Sequence, residues 1–130
     1  NVITCNAVVS ACEKGAQWHA ALALLGSMAQ LRIEPNVITC NAVVSACEKG
    51  AQWQAALALL GSMAQLRIEP NVITCNAAVS ACEKGAQWQA ALALLGSMGP
   101  LRIAPNVITC NAAVSACEKG AQWQAALALL

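Results

Sequence analysis

Apolar residues recur along the chain at helical spacing. Cys5, Val8, Val9 and Cys12 occupy positions i, i+3, i+4 and i+7, the stripe of an amphipathic helix. A second stripe runs through Trp18, Ala21, Leu22, Leu25, Met28 and Ala29, again on one helical face. Asn1 can cap the first helix with its side-chain oxygen, and Gly15 follows Glu13 and Lys14 as a stop. Pro35 closes the pattern, Asn36 reopens it, and no strand-like alternation intervenes. The pattern predicts a helical hairpin of about eleven plus fifteen helical residues, with ends placed to within a few residues.

The hairpin repeats. NVITCNAVVSACEKGAQW starts at Asn1 and again, nearly unchanged, at Asn36, Asn71 and Asn106, a period of 35 residues. One hairpin cannot bury its own stripe, so neighbours must stack, and a period of this length marks a solenoid. The expected fold is all-α: a right-handed α-solenoid of stacked antiparallel helical hairpins. It forms a single domain over 1–130, with repeats 2–36, 37–71 and 72–106 and a partial repeat 107–130. The start in mid-motif suggests an excerpt of a longer protein. The third unit differs, with Gly99-Pro100 in place of Ala64-Gln65 and Ala104 in place of Glu69. Proline removes a backbone donor and crowds the preceding turn, so this helix should end or kink about one turn early and shift the superhelical pitch.

Composition narrows the function classes. The chain is 58% hydrophobic, 10% charged and carries a formal charge of +1, which excludes disorder, a polybasic arm and an acidic tail. With a single histidine, His19, no His-built catalytic or metal site is expected, and neither a cofactor nor a small-molecule substrate. Cys5 and Cys12 stand about 10.5 Å apart along a helix, too far for a disulfide. Their C-x6-C spacing also misses the usual zinc pattern. The eight cysteines therefore read as buried small hydrophobes. Mean hydropathy of +0.57 raises the question of a membrane. An uncharged run such as Gly15 to Leu31 reaches only 17 residues and includes Gln17, His19, Ser27 and Gln30. A span needs about 20 predominantly apolar residues, so no transmembrane segment is expected.

At about 100° per residue, Ile3, Asn6, Ser10 and Lys14 share a face of the first helix away from the Cys-Val stripe. Stacking repeats that face once per unit. An amide offers donors and an acceptor to a base edge, a branched aliphatic can press on a base plane, and an ammonium can meet a phosphate. This is the physical logic of readers that take one base per helical repeat.

The 35-residue hairpin with V-I-T-C-N, A-C-E-K-G, A-L-A-L-L, S-M and R-I-E-P-N resembles the pentatricopeptide repeat family, in its plain class without insertions. The tetratricopeptide family has another period and a W-x2-L-G-x2-Y opening that is absent here. The resemblance implies base reading by a residue early in the first helix paired with the last residue of the same repeat: Asn6 with Asn36, Asn41 with Asn71, and Asn76 with Asn106. Asn111 matches the first of these positions, its partner falling beyond Leu130. The implied specificity is for pyrimidines, cytosine somewhat over uracil. Ile3, Ile38, Ile73 and Ile108 match the residue that wedges between bases, and Lys14, Lys49, Lys84 and Lys119 match a lysine that approaches phosphate. The resemblance also implies a mitochondrial or chloroplast location. Cys5 stands where the family has Tyr, and Glu13 beside Lys14 would blunt its field, so weak binding is expected.

Structural roles compete for the same residues. Asn36, Asn71 and Asn106 are well placed as helix N-caps after Pro35, Pro70 and Pro105. The lysines suit the negative ends of helix dipoles. Trp18, Trp53, Trp88 and Trp123 lie on the packing stripe and read as core, while His19 reads as solvated. Every complete pair is Asn/Asn, so the readout would be monotone. Two functions follow: a non-enzymatic, RNA-binding segment of an organellar factor for RNA processing, stability or translation, or a structural subunit. The latter would dock its Ala-rich second helices on a larger organellar assembly, such as a ribosome or a membrane-bound energy-converting complex.

Overall fold

In the computed structural model, residues 1–129 are described. They form eight helices and no strand: α1 Val2–Lys14, α2 Trp18–Gln30, α3 Val37–Lys49, α4 Trp53–Met63, α5 Val72–Lys84, α6 Trp88–Ser97, α7 Val107–Lys119 and α8 Trp123–Ala128. Each odd helix pairs with the even helix that follows, giving the hairpins the repeat predicts. The odd helices also pack directly on one another, α1 on α3, α3 on α5 and α5 on α7. Even helices approach their own partner and the next odd helix more closely than they approach one another. The stack is thus tightest along the row of first helices, which forms one continuous wall.

Stacking is what buries the stripe. Val8, in the first unit, is 48% exposed, whereas its counterpart Val43 is fully buried between α1 and α5. Ala46, Cys47, Ala81, Cys82, Ala116 and Cys117 are all fully buried, and these small side chains let the first helices approach closely. Met28, Met63 and Met98, one per complete unit, are the largest fully buried side chains, each contributing on the order of 2 kcal/mol by burial. The cysteines carry no disulfide, and burial raises the thiol pKa of Cys40, Cys47, Cys75 and Cys117 and pushes Cys82 up to about 11. A thiol held protonated in this way is a packing group rather than a nucleophile.

The first helices stop at their glycines as expected, but the left-handed residue is not the glycine. Gly15, Gly50, Gly85 and Gly120 cap the first helices with φ between −88° and −85°, and the left-handed residue is the alanine after each, Ala16, Ala51, Ala86 and Ala121 at φ 54–55°. Gln17 N donates to Cys12 O and Ala16 N to Glu13 O, the paired bonds of a Schellman motif centred on alanine. The glycine is needed one residue earlier for space. A Cβ on Gly50 would lie 2.4 Å from Cδ1 of Trp18, and Gly85 and Gly120 stand in the same relation to Trp53 and Trp88. Each tryptophan therefore seats on the glycine of the next unit. Trp18, Trp53 and Trp88 are half-buried rather than core, and Trp123, with no unit after it among the described residues, is 66% exposed. His19 is exposed, as expected, with its ring 3.4 Å from that of Trp18.

Alanine in the left-handed region costs about 1–2 kcal/mol, and glycine loses more backbone entropy on folding. Ala86→Gly should therefore stabilise the chain by a net of about 0.5–1 kcal/mol, read as a higher urea midpoint; an unchanged or lower midpoint would contradict the assignment.

The Gly99-Pro100 substitution changes less than its chemistry suggests. α6 ends one residue earlier in its unit than α4 and three earlier than α2; α4, which has no proline there, already stops two residues short of α2, so the early stop set by the proline is one residue rather than a turn. The shift in pitch is not found: Trp88 meets Gly120 at the same 2.4 Å as Trp53 meets Gly85, and the cross-unit hydrogen bonds keep their register. Packing along the first helices sets the register; Pro100 lies in the connection after α6, beside Asn71 and Val72 at the start of α5 and at the opposite end of the hairpin from the Trp88–Gly120 seat.

Candidate nucleic-acid interface

The wall of first helices carries three rows of side chains in register. The first row is the asparagines. Asn36, Asn71 and Asn106 cap α3, α5 and α7, each side-chain oxygen accepting from the backbone N–H of Thr39, Thr74 or Thr109 at 3.0–3.1 Å. In return the Thr Oγ1 accepts from the cap's backbone N–H, completing a capping box. The helix-interior asparagine of the preceding unit joins this box. Asn6 Nδ2 donates to Asn36 Oδ1 at 3.3 Å, Asn41 to Asn71 at 3.2 Å, and Asn76 to Asn106 at 3.3 Å. The hydroxyls of Thr39, Thr74 and Thr109 donate to the Oδ1 atoms of Asn6, Asn41 and Asn76.

The two expectations for the capping asparagines thus coexist. The same side chain closes a helix and touches its partner across the unit. Asn6, Asn41 and Asn76 remain half-buried, and Asn111 is exposed with no hydrogen-bond partner among the described residues. Beside them stands the second row, Ile3, Ile38, Ile73 and Ile108, 59–75% exposed. Large aliphatics left in water once per unit are a row of apolar contacts without a protein partner.

The third row is ionic. Lys49 Nζ lies 3.0 Å from Glu13 Oε2 of the preceding unit, and Lys84–Glu48 and Lys119–Glu83 repeat this at 3.0 and 2.8 Å. Ser45, Ser80 and Ser115 donate to the other oxygen of the same carboxylates. The hydrogen bond from Lys49 holds the Glu13 carboxyl below its ordinary range against partial desolvation, and Lys119 does the same for Glu83. Glutamate does offset lysine here, but the partner is the lysine of the next unit rather than the adjacent one. Lys14 has no ion pair among the described residues.

Sequence reasoning missed the threonines as members of this wall and matched the glutamates to the adjacent lysine instead of the next unit's. An N-x-x-T pattern after proline is a capping-box signal that could have found Thr39, Thr74 and Thr109. The Glu–Lys pairs are 36 residues apart in sequence, and only the stacking register reveals them. Arg32, Arg67 and Arg102 sit exposed in the connections between units at φ 57–60°. Among the described residues there is no cluster of three metal-ligating side chains, and no helix is long and apolar enough to cross a membrane.

Comparison with known proteins places this geometry. The model of the PPR repeat family matches residues 1–49 and 35–84. No curated protein matches the chain. Among solved structures, the chain is similar to the pentatricopeptide repeat protein PPR10 in complex with an 18-nt psaJ RNA element, with a TM-score of 0.86 at 24% identity, covering 99% of this chain and 19% of that one. A second structure of PPR10, from maize, matches with a TM-score of 0.59 at 21% identity, over 99% of this chain and 24% of that one. The PPR domain of Arabidopsis thaliana protein-only RNase P 1 in complex with tRNA gives 0.53 at 10% identity, over 98% and 86%. The chain spans about a fifth of the length of the PPR10 chain it resembles. With helical hairpins of 35-residue period throughout and the family model matching from Asn1 to Lys84, the chain belongs to the pentatricopeptide repeat (PPR) family.

Proposed function

We propose that the chain is a sequence-selective, single-stranded RNA-binding segment that prefers pyrimidines and performs no catalysis itself. Its setting is an organellar factor for RNA processing, stability or translation, in a mitochondrion or chloroplast. The observation that carries this is the row of hydrogen-bonded Asn/Asn pairs, one per unit on one wall, each flanked by an exposed isoleucine. An amide pair can meet one base edge, the neighbouring isoleucines can hold that base on its two faces, and the lysines at the other end of the same wall can meet the backbone. Family membership supports the reading, and so do the RNA-bound complexes among the similar structures.

Charge sets the expected strength. Phosphate contacts dominate the affinity of most nucleic-acid binders, and Lys49, Lys84 and Lys119 already face carboxylates. Binding should be weak, with a shallow salt slope of about 0.7 per lysine engaged. Titration of the purified chain with oligo-C, oligo-U and oligo-A at two salt concentrations should rank C over U over A. Equal or undetectable binding to all three overturns the base readout, and undetectable binding overturns the RNA reading as a whole. That outcome favours docking on a larger organellar assembly, to which the exposed Leu31, Leu66 and Leu101 would give one apolar contact per unit.

A further inference from the structure

The Asn pairs have a fixed polarity, and its origin is a backbone atom. A backbone N–H can only donate, and that of Thr39 donates to Asn36 Oδ1 at 3.0 Å, so the Asn36 amide nitrogen must turn the other way. Asn36 N donates to Thr39 Oγ1 at 3.1 Å, which leaves the single hydroxyl proton to point elsewhere. Two acceptors lie within its reach, Asn6 Oδ1 and, at 3.1 Å, Asn36 Oδ1; the latter already accepts from Thr39 N and Asn6 Nδ2, so the proton goes to Asn6 Oδ1. With its oxygen held there, Asn6 presents Nδ2 to Asn36 Oδ1 at 3.3 Å. Rotating either amide by half a turn would set oxygen against oxygen, or an NH2 against a backbone N–H. The same chain of bonds runs through Thr74 with Asn41 and Asn71, and through Thr109 with Asn76 and Asn106.

The consequence lies in what remains for a ligand. Asn36 Oδ1 is occupied by Thr39 N and Asn6 Nδ2, while both hydrogens of Asn36 Nδ2 and one of Asn6 Nδ2 have no partner among the described residues. Donors therefore outnumber acceptors at each pair: three N–H bonds against the one remaining lone pair of Asn6 Oδ1. Thr39, Thr74 and Thr109 are themselves fully buried and cannot touch a ligand.

We infer that Thr39, Thr74 and Thr109 are positioning residues that hold each Asn pair with its donors outward, so that the wall selects a base edge made of acceptors. Cytosine offers two adjacent acceptors, N3 and O2, on the edge where uracil has an N3–H donor. A freely rotating amide would satisfy either base. The threonine hydroxyl turns an adaptable pair into a discriminating one. This inference rests on the RNA reading above and adds to it the group that fixes the polarity.

The test compares Thr74→Val and Thr74→Ser in the full chain, reading the ratio of affinities for oligo-C over oligo-U. Valine keeps the branched shape and removes the hydroxyl; serine keeps the hydroxyl. The valine variant should lower the ratio roughly threefold, the weight of one modest hydrogen bond, while the serine variant retains the parent ratio. Circular dichroism establishes that the valine variant is folded. If Thr74→Val unfolds, Thr109→Val, which removes the equivalent hydroxyl at the Asn76–Asn106 pair and should lower the ratio in the same way, keeps the question decidable. A folded valine variant that binds with an unchanged ratio overturns this inference alone. Absence of binding by the parent chain to either RNA overturns the RNA reading, and this inference with it.

Discussion

A methyl group on Gly85 is expected to lower the stability of the chain by about 1–3 kcal/mol, the usual cost of overpacking. Its Cβ would stand 2.4 Å from Cδ1 of Trp53 and 3.0 Å from Cγ, atoms of a rigid ring rather than the tip of a flexible side chain. The ring or the whole of α5 must shift, and α5 is held on both sides by α3 and α7. Gly15→Ala supplies the control. The same residue in the same local sequence has no tryptophan before it, and the nearest atoms to its added Cβ are 3.6 Å away. Urea unfolding should show a clear loss for Gly85→Ala and next to none for Gly15→Ala. In a Trp53→Ala background the penalty at Gly85 should largely vanish, because the atom that is struck has been removed. Equal effects at Gly15 and Gly85 would show that the glycine serves the helix end and not the seat of the ring.

The two asparagines of a pair should differ sharply in what their removal does. Asn71→Ala removes the cap of α5 and half of its capping box, at about 0.5–2 kcal/mol of stability. Asn41→Ala leaves that box intact: the Thr74 hydroxyl still has Asn71 Oδ1 at 3.1 Å as an acceptor. It should therefore melt close to the parent chain while losing pyrimidine selectivity. Thermal unfolding and RNA titration of the same two variants make the comparison. If Asn41→Ala proves as destabilising as Asn71→Ala, the interior asparagine is a structural residue and its part in base reading is withdrawn.

Much of the architecture is legible in the sequence because it depends on periodicity. The stripe through Cys5, Val8, Val9 and Cys12 names the face that stacking buries, and the 35-residue period names the unit that must stack. The capping role of Asn36 is equally local. What the chain text does not yield is whatever depends on the distance between units. Gly50 looks like a helix stop until Trp18 is seen seated on it, 32 residues earlier in the chain. Glu13 looks like a neighbour that offsets Lys14, whereas the approach of α3 gives it Lys49 and Ser45 instead. Pro100 looks like a break in the superhelix, yet the first-helix wall passes it unchanged. The asparagines were visible as a ladder, but the hydroxyl that orients them was hidden inside a residue type usually read as a filler of the first turn.

The seating of each tryptophan on the following glycine has a consequence for how such a chain can change in length. Every junction joins the same two faces, so excising one whole 35-residue period brings Trp18 onto the glycine that had received Trp53, with no new clash and with each remaining junction keeping its lysine opposite a glutamate. Duplicating a period is equally silent. Insertions of any other size put a side chain where the indole must lie. Recombination between near-identical copies would therefore lengthen or shorten the reading wall in whole steps, adding or removing one amide pair at a time while leaving every surviving contact as it was.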